Sequence, residues 1–250
     1  AGARDVHPAD MDGDGDLDVL TASVSPGKIA WYENADGLGS FRPQQVIDSE
    51  TDMVPSVYAA DLDGDGDADV LATLHRDDTI AWYENIDGKG SFGPQIAISR
   101  EADAGQSVYA ADIDGDDDMD VISASYLDNK VAWYENKGGG VFGAQQIITT
   151  DAGWARDAHA ADLDGDGDAD VLSASYLDNK VAWYENKGGG NFGEQIVIGK
   201  PYGAQSVYAA DLDGDGDADV LSASWNDRQI TWYENSGTGA FGGEQIICTS

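Results

Sequence analysis

Short apolar runs alternate with polar, glycine-rich stretches along the whole chain, and no segment sustains the 3.6-residue period of an amphipathic helix. Within residues 51–101 the apolar runs are 56–60, 69–73, 79–85 and 95–98, each with the length and the β-branched or aromatic content of a strand. In the third run Ile80 and Trp82 face one way while Ala81 and Tyr83 face the other. Both faces are apolar, so the sheet holding this strand has to be covered on two sides.

The four-run pattern occurs five times, dividing a single domain into units of approximately 1–50, 51–101, 102–151, 152–200 and 201–250. A period near 50 with a turn signal every 10–15 residues predicts an all-β, five-bladed β-propeller, one four-stranded antiparallel blade per repeat. A calcium-binding β-helix would repeat every nine residues, and a thrombospondin-like array would be rich in cysteine; neither pattern is present. Each unit reads from inner to outer strand. A closed ring would therefore be sealed by blade one packing on blade five; otherwise the blades are part of a larger propeller, or an open arc that assembles with other copies. Paired alanines in the first run of the later units (Ala59 and Ala60, Ala110 and Ala111, Ala160 and Ala161, Ala209 and Ala210) suit a narrow centre.

Between the first and second runs of every unit lies an aspartate ladder. Its members are Asp10, Asp12, Asp14, Asp16 and Asp18; Asp61, Asp63, Asp65, Asp67 and Asp69; Asp112, Asp114, Asp116, Asp118 and Asp120; Asp162, Asp164, Asp166, Asp168 and Asp170; and Asp211, Asp213, Asp215, Asp217 and Asp219. The first members recur at intervals of 51, 51, 50 and 49 residues. Carboxylates at every second position repel one another, and a hard cation that takes oxygen ligands makes the crowding favourable. The pattern predicts about one calcium per blade, held by side chains at positions 1, 3, 5 and 9 and by the backbone carbonyl of position 7. Glycines between the aspartates give the tight path. In the third copy Asp117 stands at one glycine position, and aspartate tolerates that conformation better than most residues. An EF-hand would need a Glu at position 12 and flanking helices; position 12 holds Thr21, Ala72, Ser123, Ser173 or Ser222, and a strand follows.

The net charge of −35 changes the picture less than its size suggests, because 26 of the 48 acidic residues belong to the ladders. Five calcium ions would leave about −25, which still disfavours nucleic acid or an anionic membrane as partner. No run of about 18 apolar residues exists, so no membrane insertion is expected. The one cysteine, Cys248, excludes an internal disulfide framework. The chain starts Ala1-Gly2-Ala3-Arg4 without a signal peptide, as a processed or trimmed form or a design would. Acidic, solvent-facing sites fill where calcium is near millimolar, so an extracellular or secreted location is expected.

The Asp-x-Asp-Gly-Asp-Gly-x-x-Asp loop, with Phe-Gly near the end of four units (Phe92-Gly93, Phe142-Gly143, Phe192-Gly193, Phe241-Gly242), resembles the FG-GAP/VCBS repeats. Such repeats build the integrin α-subunit head, a fungal propeller lectin and modules of many secreted microbial proteins. The first unit departs, with Phe41-Arg42. The resemblance implies a propeller used in adhesion or carbohydrate binding, although family members mostly have seven or eight blades.

Repetition sorts the remaining candidates. Trp-Tyr-Glu-Asn occurs five times, led by Trp31, Trp82, Trp133, Trp183 and Trp232, which are expected between blades; Glu33, Glu84, Glu135, Glu185 and Glu234 are expected to bond neighbouring backbone. Strand alternation puts the ladders and the third-to-fourth-run turns on one face of the ring. The variable connections lie on the other, and there Tyr126, Tyr176, Trp225, Trp154, Arg156 and Tyr202 are candidates for a sugar-binding surface; their packing on one another is the competing expectation. His7 and His159 take the place of Tyr58, Tyr109 and Tyr208, and are expected to act as ring-shaped packing groups. No nucleophile–base pair stands out, so a non-enzymatic, calcium-binding, lectin-like module is expected, with glycans or a protein as ligand. The alternatives are a natural or designed repeat scaffold without a ligand of its own, suggested by the identity of residues 123–140 and 173–190, or the propeller of a secreted lyase or dehydratase.

Overall fold

The computed structural model describes residues 2–249. Among the described residues twenty strands and no helix are present; the strands form five four-stranded sheets, and in each sheet the order in space follows the order in sequence. Blade one is β1 (Ala3–Ala9), β2 (Asp18–Val24), β3 (Gly27–Tyr32) and β4 (Gln45–Asp48). Blade two is β5 (Val57–Ala60), β6 (Asp69–Leu74), β7 (Thr79–Tyr83) and β8 (Ile96–Ser99). Blade three is β9 (Gly105–Ala111), β10 (Asp120–Ser125), β11 (Lys130–Tyr134) and β12 (Gln146–Thr149). Blade four is β13 (Ala155–Ala161), β14 (Asp170–Ser175), β15 (Lys180–Tyr184) and β16 (Ile196–Gly199), and blade five is β17 (Ala204–Ala210), β18 (Asp219–Ser224), β19 (Gln229–Tyr233) and β20 (Gln245–Thr249). All pairings are antiparallel. The innermost strand β5 is the shortest of its kind because Pro55, with no N–H to give, precedes it.

The two-sided strands do what their pattern requires. Leu71 pairs with Trp82 and Val70 with Tyr83. Leu71, Ile80 and Trp82 then pack on Val108, Ala110, Val121 and Tyr134 of blade three. The opposite side of blade two sets Val70, Ala72, Ala81 and Tyr83 against Leu20, Ile29 and Trp31 of blade one. The same scheme builds the seams between blades three and four and between four and five. Among the described residues the four core clusters join consecutive blades, and none joins blade five to blade one. The face-to-face seal that would close a five-membered ring is therefore not formed as a packed seam.

Four of the five tryptophans that lead the Trp-Tyr-Glu-Asn motif are buried in these seams, and the fifth, Trp232, is half-buried on the outer side of blade five. The glutamates beside them do not bond backbone as expected. Glu33 pairs with Arg42 at 3.0 Å, and Glu135 and Glu185 lie 3.8 Å from Lys137 and Lys187, so these carboxylates turn to nearby cations. The backbone role belongs to the asparagine that follows. Asn136 Nδ2 donates to the carbonyls of Leu62 in blade two (2.8 Å) and Met119 in its own blade (3.0 Å). Asn85, Asn186 and Asn235 repeat the bond to the preceding blade at 3.0, 2.7 and 2.7 Å.

The inner strands meet around the axis through rings. His7, Tyr58, Tyr109, His159 and Tyr208 follow one another with centroids 4.3, 4.7, 4.4 and 4.8 Å apart, so the histidines pack where the other blades place tyrosine.

Candidate functional site

The acidic loops close on their own backbone. In the second copy Asp61 Oδ1 accepts from the Gly64 N–H at 2.8 Å and Oδ2 from the Gly66 N–H at 2.9 Å, while Asp65 Oδ1 accepts from the Asp67 N–H at 2.9 Å. Gly64 and Gly66 sit at φ 80° and 95°, where a side chain is strained. Asp117 takes φ 72° in the third copy, and its N–H still reaches Asp112 Oδ2 at 3.0 Å, so that loop keeps its path.

Three carboxylates converge in each loop, one oxygen from each lying within 4.8 Å of the others. They are Asp10, Asp12 and Asp18; Asp61, Asp63 and Asp69; Asp112, Asp114 and Asp120; and Asp162, Asp164 and Asp170. The fifth loop differs, gathering Asp211, Asp213 and Asp215 and leaving Asp219 aside. In the first four loops the position-5 residues Asp14, Asp65, Asp116 and Asp166 lie outside the triads and each accepts the N–H two residues on. The position-7 side chains lie against the turn between the third and fourth strands: a Cβ added to Gly37, Gly88 or Gly237 would collide with Asp16, Asp67 or Asp217. One added to Gly138 or Gly188 would stand 3.2 or 3.4 Å from Asp118 or Asp168.

The electrostatics of the triads are those of crowded, partly dehydrated anions. Burial pushes Asp69, Asp120 and Asp170 up to about 7, against two N–H bonds that lower each of them, and neighbouring ladder carboxylates push the same way. Lost hydration also raises Asp12, Asp63, Asp114, Asp164 and Asp213. Oδ1 of Asp12 and Oδ1 of Asp114 are buried without a hydrogen-bond partner among the described residues. All-oxygen donors, orphaned lone pairs and mutual repulsion together fit a hard divalent cation, which would supply the missing partner and favour the ionised form.

On the opposite face the structure brings four of the six sequence candidates together. Trp154 stacks between Tyr126 (centroids 4.8 Å, planes 29° apart) and Tyr176 (5.9 Å, 16°). The Arg156 guanidinium lies 4.6 Å from the Tyr126 ring centre and 5.4 Å from that of Tyr176. Trp154 is thus packed against two neighbouring rings, as the competing expectation has it. Trp225 and Tyr202 stand apart, largely exposed at blade five, where Trp225 lines a cavity with Ile230 and Cys248.

Beside the aromatic stack opens a pocket of about 320 Å³ that the sequence did not single out. Arg4, His75, Gln106, Tyr126 and Arg156 line it, with Val24, Met53 and Pro55 as its apolar wall. Arg156 Nη1 donates to Gln106 Oε1 at 3.1 Å, and the Gln106 amide meets His75 Nδ1 at 2.7 Å. The visible signal was a break in the repeat: at one inner-strand register the units hold Arg4, Pro55, Gln106, Arg156 and Gln205.

Comparison with known proteins agrees with this architecture. The FG-GAP-like repeat matches residues 10–72, 70–123, 117–173, 162–222 and 211–250. No curated protein matches the chain. Among solved structures, the chain is similar to an Agrocybe aegerita lectin described for specific recognition of non-reducing terminal N-acetylglucosamine, with a TM-score of 0.69 and 25% identity, over 98% of this chain and 65% of the lectin. A protein of unknown function from Desulfotomaculum acetoxidans gives a TM-score of 0.66 at 12% identity, over 96% of this chain and 68% of that one. The V. cholerae biofilm matrix protein Bap1 gives 0.54 at 21%, over 95% of this chain and 38% of Bap1. The last two likenesses carry the fold alone. With all five units matched and all five folded as blades, the chain belongs to the FG-GAP-like repeat family.

Proposed function

We propose that the protein is a non-enzymatic, calcium-binding propeller that works outside the cell as a lectin-like module, taking a saccharide on the face opposite the acidic loops. The observation that carries this reading is the 320 Å³ pocket, which the N–H-rich guanidinium side chains of Arg4 and Arg156 line beside Tyr126. Several donors next to one aromatic edge suit a polyhydroxylated ligand, and the likeness to the Agrocybe aegerita lectin points the same way.

Calcium would be held by the carboxylates at positions 1 and 3, with position 9 in the first four loops and position 5 in the fifth. Its chemistry is charge neutralisation, which lets each acidic hairpin fold and bring its asparagine-bonded seam together. An ion bound only by the folded state stabilises it by about 2.7 kcal/mol per site at a hundredfold excess over Kd. Millimolar calcium outside the cell would keep such sites filled.

The test is a glycan array run in millimolar calcium, with melting temperatures taken in calcium and in excess EDTA. A limited class of glycans should give signal, and EDTA should lower the melting temperature by tens of degrees. An unchanged melting temperature would sink the calcium reading. A folded, calcium-loaded chain that lights no glycan would sink the lectin reading in favour of a ligand-free scaffold, the alternative that the identical segments 123–140 and 173–190 support.

A further inference from the structure

We propose that the pocket at the ring's mouth is an oxyanion site, so that the saccharide it takes is an acidic one, carrying a carboxylate. This rests on the reading of that face as a sugar-binding surface and names the chemistry the sugar must bring.

The chain has 13 Lys and Arg against 48 Asp and Glu, and among the described residues six of the 13 make ion pairs and seven make none; what sets Arg4 and Arg156 apart is that two of the seven share one cavity. Arg42, Arg76, Lys130 and Lys180 all make ion pairs, at 3.0, 2.6, 2.9 and 2.9 Å. Arg4 and Arg156 line the same pocket and, among the described residues, neither makes one. Each is followed directly by an aspartate, yet neither aspartate turns to it. Asp5 accepts the Val57 N–H at 3.0 Å, and Asp157 accepts the Ser107 and Ser206 hydroxyls at 2.8 and 2.7 Å and the Val207 N–H at 3.1 Å. Both aspartates line a separate cavity around the axis. Each Arg-Asp pair is thus split, the acid locked into the seams between inner strands and the base aimed into the mouth.

Arg156 is also held ready. Tyr126 and Tyr176 flank its guanidinium, Gln106 takes one N–H, and Nε is buried without a partner. Burial and the neighbouring Arg4 both act against its charge, and no carboxylate offsets them. Two guanidiniums facing one cavity repel in the absence of a ligand, and a carboxylate between them relieves that repulsion while accepting paired N–H bonds from a planar fork. The arrangement occurs once per molecule. Only units one and four place arginine at this register, where the others have Pro55, Gln106 and Gln205. A capping role for Arg156 on the tyrosines would explain one arginine but not the second beside it.

The experiment is calorimetric titration of the calcium-loaded chain with glucuronate, galacturonate, glucose, galactose and inorganic sulfate. Wild type is compared with Arg4→Gln, Arg156→Gln, Arg156→Lys and, as a control on the opposite face, Lys89→Gln. The uronates should bind at least tenfold more tightly than the neutral sugars, with the preference weakened by added salt. Arg4→Gln, an exposed position that leaves folding intact, should remove most of the preference, Arg156→Lys should retain part of it, and Lys89→Gln should retain all. Equal binding of neutral and acidic sugars overturns the oxyanion site and leaves the lectin reading standing. Arginine-dependent binding of sulfate without binding of any sugar upholds the oxyanion site and overturns the lectin reading. Absence of all binding overturns both, and a uronate preference that survives both glutamine substitutions overturns the assignment to these arginines.

Discussion

The seam between blades two and three and the two outward faces of the terminal blades are made of the same residue types, and they behave oppositely. In the seam Leu62 and Ile80 are 1% and 0% exposed and face Val108 at 4%; on blade five the equivalent Leu212 and Ile230 are 45% and 42% exposed, and on blade one Val6 is 62% exposed. Asn136 bonds the Leu62 carbonyl across the seam, whereas Asn34, its counterpart in blade one, reaches only Leu17 of its own blade. The outward face of blade five repeats residue positions that earlier blades bury, and that of blade one repeats the positions those residues face. Stability in this fold therefore resides between sheets more than within them, because a blade with two apolar faces gains its burial from its neighbours.

The sharpest way to test that contrast is to remove the same indole on a sealed side and on an open one. Trp183 packs in the seam of blades four and five, edge-on to Phe241, while Trp232 belongs to none of the core clusters among the described residues. Trp183→Ala should cost about 3–5 kcal/mol, as truncation of a buried aromatic does, and Trp232→Ala less than about 2 kcal/mol. Urea unfolding in excess calcium measures both. Equal losses would mean that the face of blade five is covered in solution, and the contrast would fail.

What the sequence displays and what it conceals divide along the same line between local and distant. The period near 50, the two-sided strands and the turn residues are local signals, and they led to five antiparallel four-stranded blades. The loop path was equally readable, down to Asp117 standing in for glycine, because backbone sterics act within a few residues. Asn136 was not readable: it looks like the end of a strand, and its partner carbonyl lies 74 residues earlier. Arg4 and Arg156 were visible as breaks in the repeat, but that they share a cavity follows from the curvature of the ring. For Trp154 the sequence left two readings open, a sugar platform or packing on its neighbours, and only the fold shows it stacked with Tyr126 and Tyr176.

The inner ring of aromatics offers a second, smaller contrast, between His159 inside the arc and His7 at its open end. Burial between Tyr109 and Tyr208 lowers His159 to about 4, from 6.5 in the unfolded chain. An imidazole kept neutral in the fold leaves stability intact above pH 6.5 and erodes it as the pH falls from 6.5 to about 4, by up to about 3 kcal/mol. His7 is lowered too, by burial, but Asp5 works against the shift, so its contribution to acid sensitivity is smaller. In saturating calcium, His159→Tyr should therefore flatten the dependence of unfolding free energy on pH between 6.5 and 4 more than His7→Tyr does. Equal effects of the two substitutions would contradict a difference between the centre of the arc and its end.

The smallest contrast is between glycines. Gly190 at φ 68° lies on the edge of the Trp133 indole of the preceding blade, so that an added Cβ would collide with Cζ2, and Gly90, Gly140 and Gly239 meet Trp31, Trp82 and Trp183 in the same way. Gly39 keeps a left-handed φ of 93° in blade one but has nothing within 4 Å of an added Cβ, because no indole precedes it. Alanine at either position carries the backbone strain of the left-handed region, roughly 1–2 kcal/mol. At Gly190 alone the methyl must also displace a packed ring, which adds about 1–3 kcal/mol of overpacking. The comparison of Gly190→Ala with Gly39→Ala cancels the strain and isolates the seam. Gly190→Ala should unfold at lower urea by that added amount, and Trp133→Ala combined with Gly190→Ala should cost less than the sum of the two, since the collision then has no partner. Full additivity would show that the glycine is needed for its backbone angle and not for the indole it carries.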